Sequence, residues 1–599
     1  MIRNSATAVT GVLLLLLAAA SVFGQYTTAS LVGTVTDASG GAIPEARVQV
    51  RNLDTGLTLS TSTDATGGYL FSRLLVGPYE LTVEKEGFTT YVQPRIVLSV
   101  NQAATQNVTL AVGQVTERVT VQAEVELVTT RTATAGQLVT QRNIVDLPLQ
   151  GRRPERLLYL AAGTVDLGRN ACRICGHGGV YPGEETPGVN GGGFFEGQVN
   201  FQLDATSHND TYINTGLPFP NPDAIQEFNL QSSNYTAEYG NSSGGIVNIV
   251  TKSGTNEIHG ALFEFLRNGA MNARQFFAPE QDKLKRNQFG GSAGGPILKD
   301  RLFYYGTFQG TRVRNQPAGV IRFVPTAEQR AGDFSSVSKQ LVDPITQQPV
   351  ANNQIPAGRI SPAAQFFLKW IPLPNGPGGQ LTFAGSPIRQ TENQFMTKAD
   401  YVHGKHQIAG RYYFTDYDQP AVIPTDNVLA AASSGNAVRL QNISLNHNFA
   451  ATPTLLINTT FGLNRQRGGS SSSAPFSFRD AGVAIEGPET SSLKAPPEIS
   501  LSVTGGFSIG TNHLGQFDRG DFTIREVVTK IQGRHELRMG GEAVRISNHI
   551  TNTYQMAGNY QFNGQLSGNG LADFMFGRTS QFRQGGGEFK WLRDRKSVV

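Results

Sequence analysis

From about residue 29 onward the chain alternates apolar and polar positions with a period of two. Helical spacing surfaces only briefly. The first runs are short: "SLVGTVTD", "RVQVRNL", "TLSTSTD" and "YLFSRLLVGPYELTVEKEGF", separated by "ASGGAIPEA", "DTGL" and "ATGG". Val48 with Val50, and Leu81 with Val83, mark the buried phase, and Gly67-Gly68 and Gly77-Pro78 supply turn chemistry. Strands spaced by roughly 8–12 residues predict an all-β sandwich, here over residues 25–112, with Tyr69, Phe71 and Leu81 in its core and tight turns at Gly33 and Gly67.

The middle of the chain is less regular. "AVGQVTERVTVQAEVELVTT" alternates well, and such a run reads as a last sandwich strand, a strand of the following domain, or a strand that adds to a partner's sheet edge. "GQLVTQRNIVDLPLQGRRPERLLYLAAGTV" then predicts a short helical turn starting at Asn143 and stopped at Leu147-Pro148. Arg152 and Arg153 read by themselves as a solvated basic turn.

Beyond Glu257 the alternating runs lengthen. Ala261, Phe263 and Phe265 alternate with Leu262, Glu264 and Leu266; the aromatic phase suits a lipid face, and Leu262 and Leu266 leave the other phase open as well. "QFMTKADYVHGKHQIAGRYYF" predicts a hairpin about His403-Gly404-Lys405-His406, and "DFTIREVVTKIQGRHELRMGGEAVRI" one about Gln532-Gly533-Arg534. The connections at 313–393 and 466–518 carry "LPNGPGG" and "GGSSSSAP". Alternating segments of ~10 residues, with short turns on one side and long loops on the other, are the pattern of an outer-membrane barrel. The predicted fold is therefore mainly β: a sandwich, a mixed α/β segment over 113–256, and the first part of a transmembrane antiparallel barrel over 257–599. About ten strands are legible, whereas plugged transporter barrels have ~22 and a membrane sheet must close. With the polar ending "FKWLRDRKSVV", this leads to the expectation of a C-terminally truncated chain.

Composition agrees with a β-rich protein. Charged residues make up 16% of the 599, below the usual quarter, with 68 Gly, 34 Phe and 17 Tyr. A formal charge of +4 over this length gives no nucleic-acid footprint. At the start, Arg3, an apolar run from Val12 to Ala20, and Val22-Phe23-Gly24 before Gln25 form the three regions of a signal peptide over residues 1–24. That run is shorter than the ~20 residues of a spanning helix.

Two resemblances sharpen the picture. "GTVTDASGGAIPEARVQVRN" with "TSTDATGGYLFSRLLVGPYELTVEKEGF" resembles the carboxypeptidase regulatory-like domain, a transthyretin-like sandwich. The matching positions include Gly33, Asp37, Pro44, Asp64, Gly67, Tyr69, Gly77, Tyr79 and Gly87-Phe88. The segment holds no His, so no zinc-protease site fits there, and the resemblance implies a periplasmic adaptor. "NFQLDATSHND", "PDAIQEFNLQSSNYTAEYGNSSGGIVNIVTKSGT" and the Leu147-Pro148 and Gly151-Arg152 pairs resemble Oar-like TonB-dependent outer-membrane receptors. Ala205 stands where that family usually keeps glycine. The resemblance implies a plug over 113–256, with its junction to the barrel marked by Gly244, Gly245, Asn248, Thr251, Lys252 and Gly254. It also makes Glu117, Arg118, Val119, Thr120, Val121, Gln122 and Ala123 a TonB-box-like strand for an inner-membrane energy-coupling protein. The implied role is uptake of an external solute, with a carbohydrate and a metal chelate as candidates. Recognition would fall to the loops and to the plug apex near 170–220.

Other chemistry is sparse. Cys172 and Cys175, with His177, offer three ligands where a structural zinc site needs four, so a small-loop disulfide fits an oxidising compartment better. Asp204, Asp210, Asp223, Glu227 and Glu238 sit in turn-like contexts where carboxylates bond backbone. No nucleophile–base pair or metal set emerges, so the expectation is no enzyme and no cofactor. The partners expected are outer-membrane lipid, the coupling protein and the solute. The competing reading is a surface adhesion protein that displays its loops without active transport.

Overall fold

The computed structural model describes residues 29–100, 102–113, 118–120, 135–149, 151–166, 187–189, 198–212, 214–235, 239–240, 242–274, 276, 280–316, 319–431, 435–452, 454–492, 494–511, 515–532, 535–553, 555–585, 587–592 and 595–597. The expected signal peptide, Glu117, Val121–Ala123, Cys172, Cys175, Glu238, Gly533 and Arg534 lie outside them.

The N-terminal sandwich contains β1 (Ala29–Asp37), β2 (Arg47–Asn52), β3 (Thr58–Ser62), β4 (Gly68–Leu74), β5 (Gly77–Glu84), β6 (Thr90–Leu98), β7 (Ala103–Thr105), β8 (Val108–Leu110) and β9 (Arg118–Thr120). One sheet runs β3-β2-β5-β6-β9, and the other centres on β1, flanked by β4 on one side and by β7 and β8 on the other. Leu31, Val35, Val48, Val50, Tyr69, Phe71, Leu81 and Val83 interdigitate between them, as period-two alternation on two facing sheets requires. Gly67 is at a turn with φ +73, but Gly33 is not. It lies inside β1, where a Cβ would come within 1.7 Å of the Gln106 carbonyl. Close approach of a neighbouring backbone, and no turn, demands glycine there.

Next comes a mixed five-stranded sheet, order β10-β15-β16-β13-β14, built from β10 (Ala135–Thr140), β13 (Val199–Leu203), β14 (Thr206–Ser207), β15 (Ile225–Ser233) and β16 (Gly245–Thr251). The short pair β11 (Thr164–Asp166) and β12 (Pro187–Val189) stands apart from it. β13 and β16 run parallel, and β16 is buried along its whole length. The helix Gln141–Asp146 begins two residues before the expected start, because Thr140 is already the extended N-cap, and it ends at Leu147.

β17 (His259–Asn268), β18 (Lys285–Leu298), β19 (Leu302–Asn315), β20 (Val320–Phe323), β21 (Gln380–Phe383), β22 (Ile388–His403), β23 (His406–Gln419), β24 (Gly435–Thr452) and β25 (Leu455–Ser471) follow. The chain continues through β26 (Ser500–Val503), β27 (Ser508–Gly510), β28 (Gln516–Gln532), β29 (His535–Asn552), β30 (Asn559–Phe562), β31 (Gln581–Arg583), β32 (Gly587–Leu592) and β33 (Arg595–Ser597). Eleven of these make one antiparallel wall, in the order β17-β18-β19-β22-β23-β24-β25-β28-β29-β32, with β33 also on β29. Its hairpins connect through three residues at 299–301 and two at 404–405 on one side, and through long segments on the other. Outward positions are mainly apolar, whereas the inward phase mixes polar residues with Tyr305, Met396, Tyr413 and Leu440, which pack on the inner sheet. On β24, Ile443 and Leu445 are 41% and 43% exposed, while Asn442 and Ser444 are buried against the inner sheet.

The long connections are not loose. Residues from 316–387, 420–431, 472–511 and 555–585 share one apolar core, including Phe334, Phe367, Phe476, Leu501, Phe574 and Met575. β26 pairs in parallel with β30, tying two of these connections together. The helix Gly570–Phe576 is capped by Asn569, and buried Asp573 accepts hydrogen bonds from the Ser567 and Gly564 amides. The segments that read as Pro/Ser/Gly-rich loops therefore form a folded module at the open end of the wall.

Candidate functional site between the inner sheet and the wall

The turn after β13 is the centre of this interface. Asp204 and Ala205 both adopt left-handed backbone, with φ 46 and 65. Ala205 takes this conformation where glycine would avoid a penalty of ~1–2 kcal/mol. The strain points the Asp204 carboxylate, 4% exposed, back into the structure. There it accepts hydrogen bonds from the Thr251 amide at 2.9 Å and the Thr251 hydroxyl at 2.6 Å. Across the seam, Arg411 Nε on β23 lies 2.8 Å from its Oδ2, and Lys398 Nζ on β22 lies 4.0 Å from its Oδ1. Burial alone would push the Asp204 pKa up, but Lys398, Arg411 and the Thr251 bonds outweigh it and hold the carboxyl below its ordinary range.

The wall grips the same turn from two more strands. Ser444 Oγ donates to the Asp204 carbonyl at 3.0 Å, and Arg525 Nη1 to the Ala205 carbonyl at 2.9 Å. Arg525 also pairs with Glu542. Farther along, Arg519 Nη1 meets Asp210 Oδ2 at 2.6 Å, and Asn464 Nδ2 donates to the Asn209 carbonyl at 2.9 Å. His208 is fully buried with Nε2 2.9 Å from the Pro218 carbonyl. Burial first, and then Arg411, lower its pKa to about 3 against the opposing Pro218 bond, so the ring stays neutral and structural.

At the other end of the inner sheet, Arg152 is far from a solvated turn. Its guanidinium pairs with Asp223, donates from Nε to Gln309 Oε1 at 3.0 Å, and lies 4.2 and 4.3 Å from the Phe263 and Phe265 rings. Both rings therefore point inward, contrary to the expectation that they face lipid. Leu262, 92% exposed, and Leu266 take the outward phase instead. A cation from the turn at 151–153, in contact with both rings, settles which of two apolar faces is which.

The junction residues read from the sequence divide. Thr251 belongs to the ion cluster. Gly254 is pressed against β19, where a Cβ would come within 2.3 Å of the Tyr304 carbonyl. The Gly244 amide donates to Gln198, the Asn248 amide group to the Tyr239 hydroxyl, and the Lys252 amide to Ala224; Gly245 opens β16. These four hold the inner sheet together and do not touch the ion cluster. Of the coupling-strand residues, Arg118–Thr120 form β9, paired in parallel with Thr90–Val92 of β6. Lys398, Arg411, Arg519 and Arg525 went unnoticed in the sequence. The signal available was a cation in the inward phase of a wall strand.

The outer membrane beta barrel domain matches residues 250–597, more than half of the chain. The chain belongs to this family. The barrel protein is thus an outer-membrane protein, and its residues 30–111 match the carboxypeptidase regulatory-like domain. It is similar to the TonB-dependent transporter Oar of Myxococcus xanthus, with 29% identity over 322 residues, covering 50% of this chain and 28% of that protein. Among solved structures it is similar to the outer membrane transporter YddB from Escherichia coli, at 9% identity and a TM-score of 0.41, covering 76% of this chain and 52% of that one. The siderophore receptor PirA from Acinetobacter baumannii gives 11% identity and a TM-score of 0.39, covering 70% and 49%. The barrel protein spans about half the length of these structures and matches a smaller share of Oar.

Proposed function

We propose that this chain works as a TonB-dependent outer-membrane transporter. In this reading residues 1–24 are a signal peptide, 25–112 a periplasmic sandwich, 113–256 a plug, and the wall from 257 onward part of the transport barrel. The observation that carries it is the character of the interface between inner sheet and wall. Asp204, Asp210 and Asp223 are each met by an arginine, and neutral amides and hydroxyls of the wall bond the backbone between them. Water can replace such partners when the sheet moves, so these polar contacts, beside the apolar ones of Tyr305, Met396, Tyr413 and Leu440, permit a rearrangement that a wholly apolar seam would resist. External solute would be captured above the plug by the folded module of long connections, and tension from the energy-coupling protein on Glu117–Ala123 would loosen the seam.

The test is cross-linking of a Val119→Cys chain to the periplasmic domain of a TonB protein in outer-membrane vesicles. A specific adduct is expected, and its absence across single-cysteine variants at 117–123 would refute the coupling role. The folded loop module favours a second reading, surface binding without transport. Deleting Glu117–Ala123 separates the two, since it abolishes uptake in a transporter and leaves surface binding unchanged.

A further inference from the structure

The sandwich meets the rest of the molecule through the turn between β2 and β3. That turn is rigid: Asn52 Oδ1 accepts the Asp54 amide at 3.0 Å and the Thr55 amide at 2.9 Å, and the Gly56 amide bonds back to the Asn52 carbonyl at 2.9 Å. Its tip is seated on the short-turn side of the wall. The Asn256 amide donates to the Asp54 carbonyl at 2.8 Å, and Asn256 Nδ2 donates to Asp300 Oδ1 at 2.7 Å. The Asp300 amide returns a bond to Asn256 Oδ1 at 2.8 Å. One asparagine thus joins the sandwich tip, the segment after β16 and the turn between β18 and β19. Gly56, with φ +72, fits against this knot so closely that a Cβ would lie 2.3 Å from Asp300 Oδ1. A second contact runs from the Val100 amide to Glu227 on β15.

Behind the tip lie two adjoining cavities of about 150 and 340 Å³, which share Asp54, Gln226 and the segment 253–255. The smaller runs from Asn52, Asp54 and Thr55 up to Lys398, Arg411 and Asp204. The larger is lined by Asp54 of the tip together with Lys252, Asp223 and Tyr305. Both lie on the short-turn side of the wall, beside residues 253–255 that follow β16.

We propose that the sandwich is a removable periplasmic stopper. Its 52–56 turn covers the space below the plug, and Asn256 and Asp300 latch it in place. A path through the barrel then opens at this end only when the sandwich leaves its seat. β9 is hydrogen-bonded into the same sandwich sheet, so tension on that strand is borne by the sandwich first. This last step rests on the transporter reading, whereas the seating itself does not.

The experiment uses the full chain with Cys172→Ser and Cys175→Ser. The Cβ built on Gly56 lies 3.3 Å from the Asp300 Cγ, the position a sulfur takes in Asp300→Cys. Gly56→Cys with Asp300→Cys is therefore expected to form a disulfide under mild oxidation in outer-membrane vesicles. Asn458→Cys adds a reporter, because Asn458 lines the smaller cavity and is 4% exposed. A membrane-impermeant maleimide supplied from the periplasmic side should label the reporter at least tenfold more slowly in the oxidised, tethered chain than in a chain carrying Asn256→Ala and Asp300→Ala. Equal labelling rates would overturn the stopper, and if the left-handed positions 56 and 300 resist the bond, the chain with native Gly56, Asn256 and Asp300 replaces the tethered one in the same comparison. Neither outcome depends on transport. A working stopper with no adduct between Val119→Cys and a TonB protein would instead sink the transporter reading alone.

Discussion

Replacing Asp204 with asparagine keeps the size and shape of the side chain and removes its charge. In the native structure that carboxylate is the only acid within ion-pairing distance of buried Arg411 among the described residues, and it receives both Thr251 groups. Removing one partner of a buried pair costs about 3–5 kcal/mol, because the other charge stays buried and uncompensated. Arg411 keeps neutral acceptors, Asn442 Oδ1 at 2.6 Å and the Leu203 carbonyl at 3.1 Å. That places Asp204→Asn near the lower end, about 3 kcal/mol, or roughly two decades in an opening equilibrium at 1.36 kcal/mol per decade. Amide exchange of the 245–251 peptide in detergent micelles at pH 7 reads this, since Thr251 N is bonded to the same carboxylate. The native pKa of Asp204 is lowered, so its contribution is present above the ordinary carboxylate range and disappears as pH falls through the lowered value. The variant should therefore lose about a hundredfold protection at pH 7, and acidification should narrow its gap to the native chain. A loss under fivefold at pH 7, or a gap that ignores pH, would refute the argument that a charge pair holds this turn.

Glu227 gives the opposite sign. Burial raises its carboxyl to about 7 despite bonds from Val100 and Ser99. Ionisation is thus disfavoured in the folded state, and stability falls as pH rises from about 4.5 to 7. Glu227→Gln should stabilise the sandwich–sheet contact by roughly 3 kcal/mol at pH 8 and by almost nothing at pH 4, measured by denaturant unfolding at both values. Asn569→Ala removes the acceptor for the Leu571 and Ala572 amides, and should cost the loop module about 1 kcal/mol in thermal unfolding. Gly33→Ala should cost far more than the usual surface change and expose the sandwich to protease, because its Cβ would sit 1.7 Å from a backbone oxygen.

Period-two alternation was enough to read the β class, the sandwich core at Tyr69, Phe71 and Leu81, and the outer-membrane wall with its unequal connections. Each of those follows from local spacing, because one sheet face meets a core or lipid and the other does not. Orientation of β17 did not follow, since both of its phases are apolar, and it is Arg152 from the turn at 151–153, lying against Phe263 and Phe265, that decides between them. The long connections read as loops because their apolar residues have no regular period. Their shared core exists only once four distant segments meet. The ion cluster was equally hidden. Asp204 stands in a recognisable turn, but Arg411 lies more than two hundred residues away, and its phase on a wall strand means nothing until the sheet curves around the turn. Sequence determined which residues lie in strands and which share a face, through short-range alternation. Tertiary structure decided which charges meet across the seam, because burial brings together groups whose mutual attraction no local pattern records.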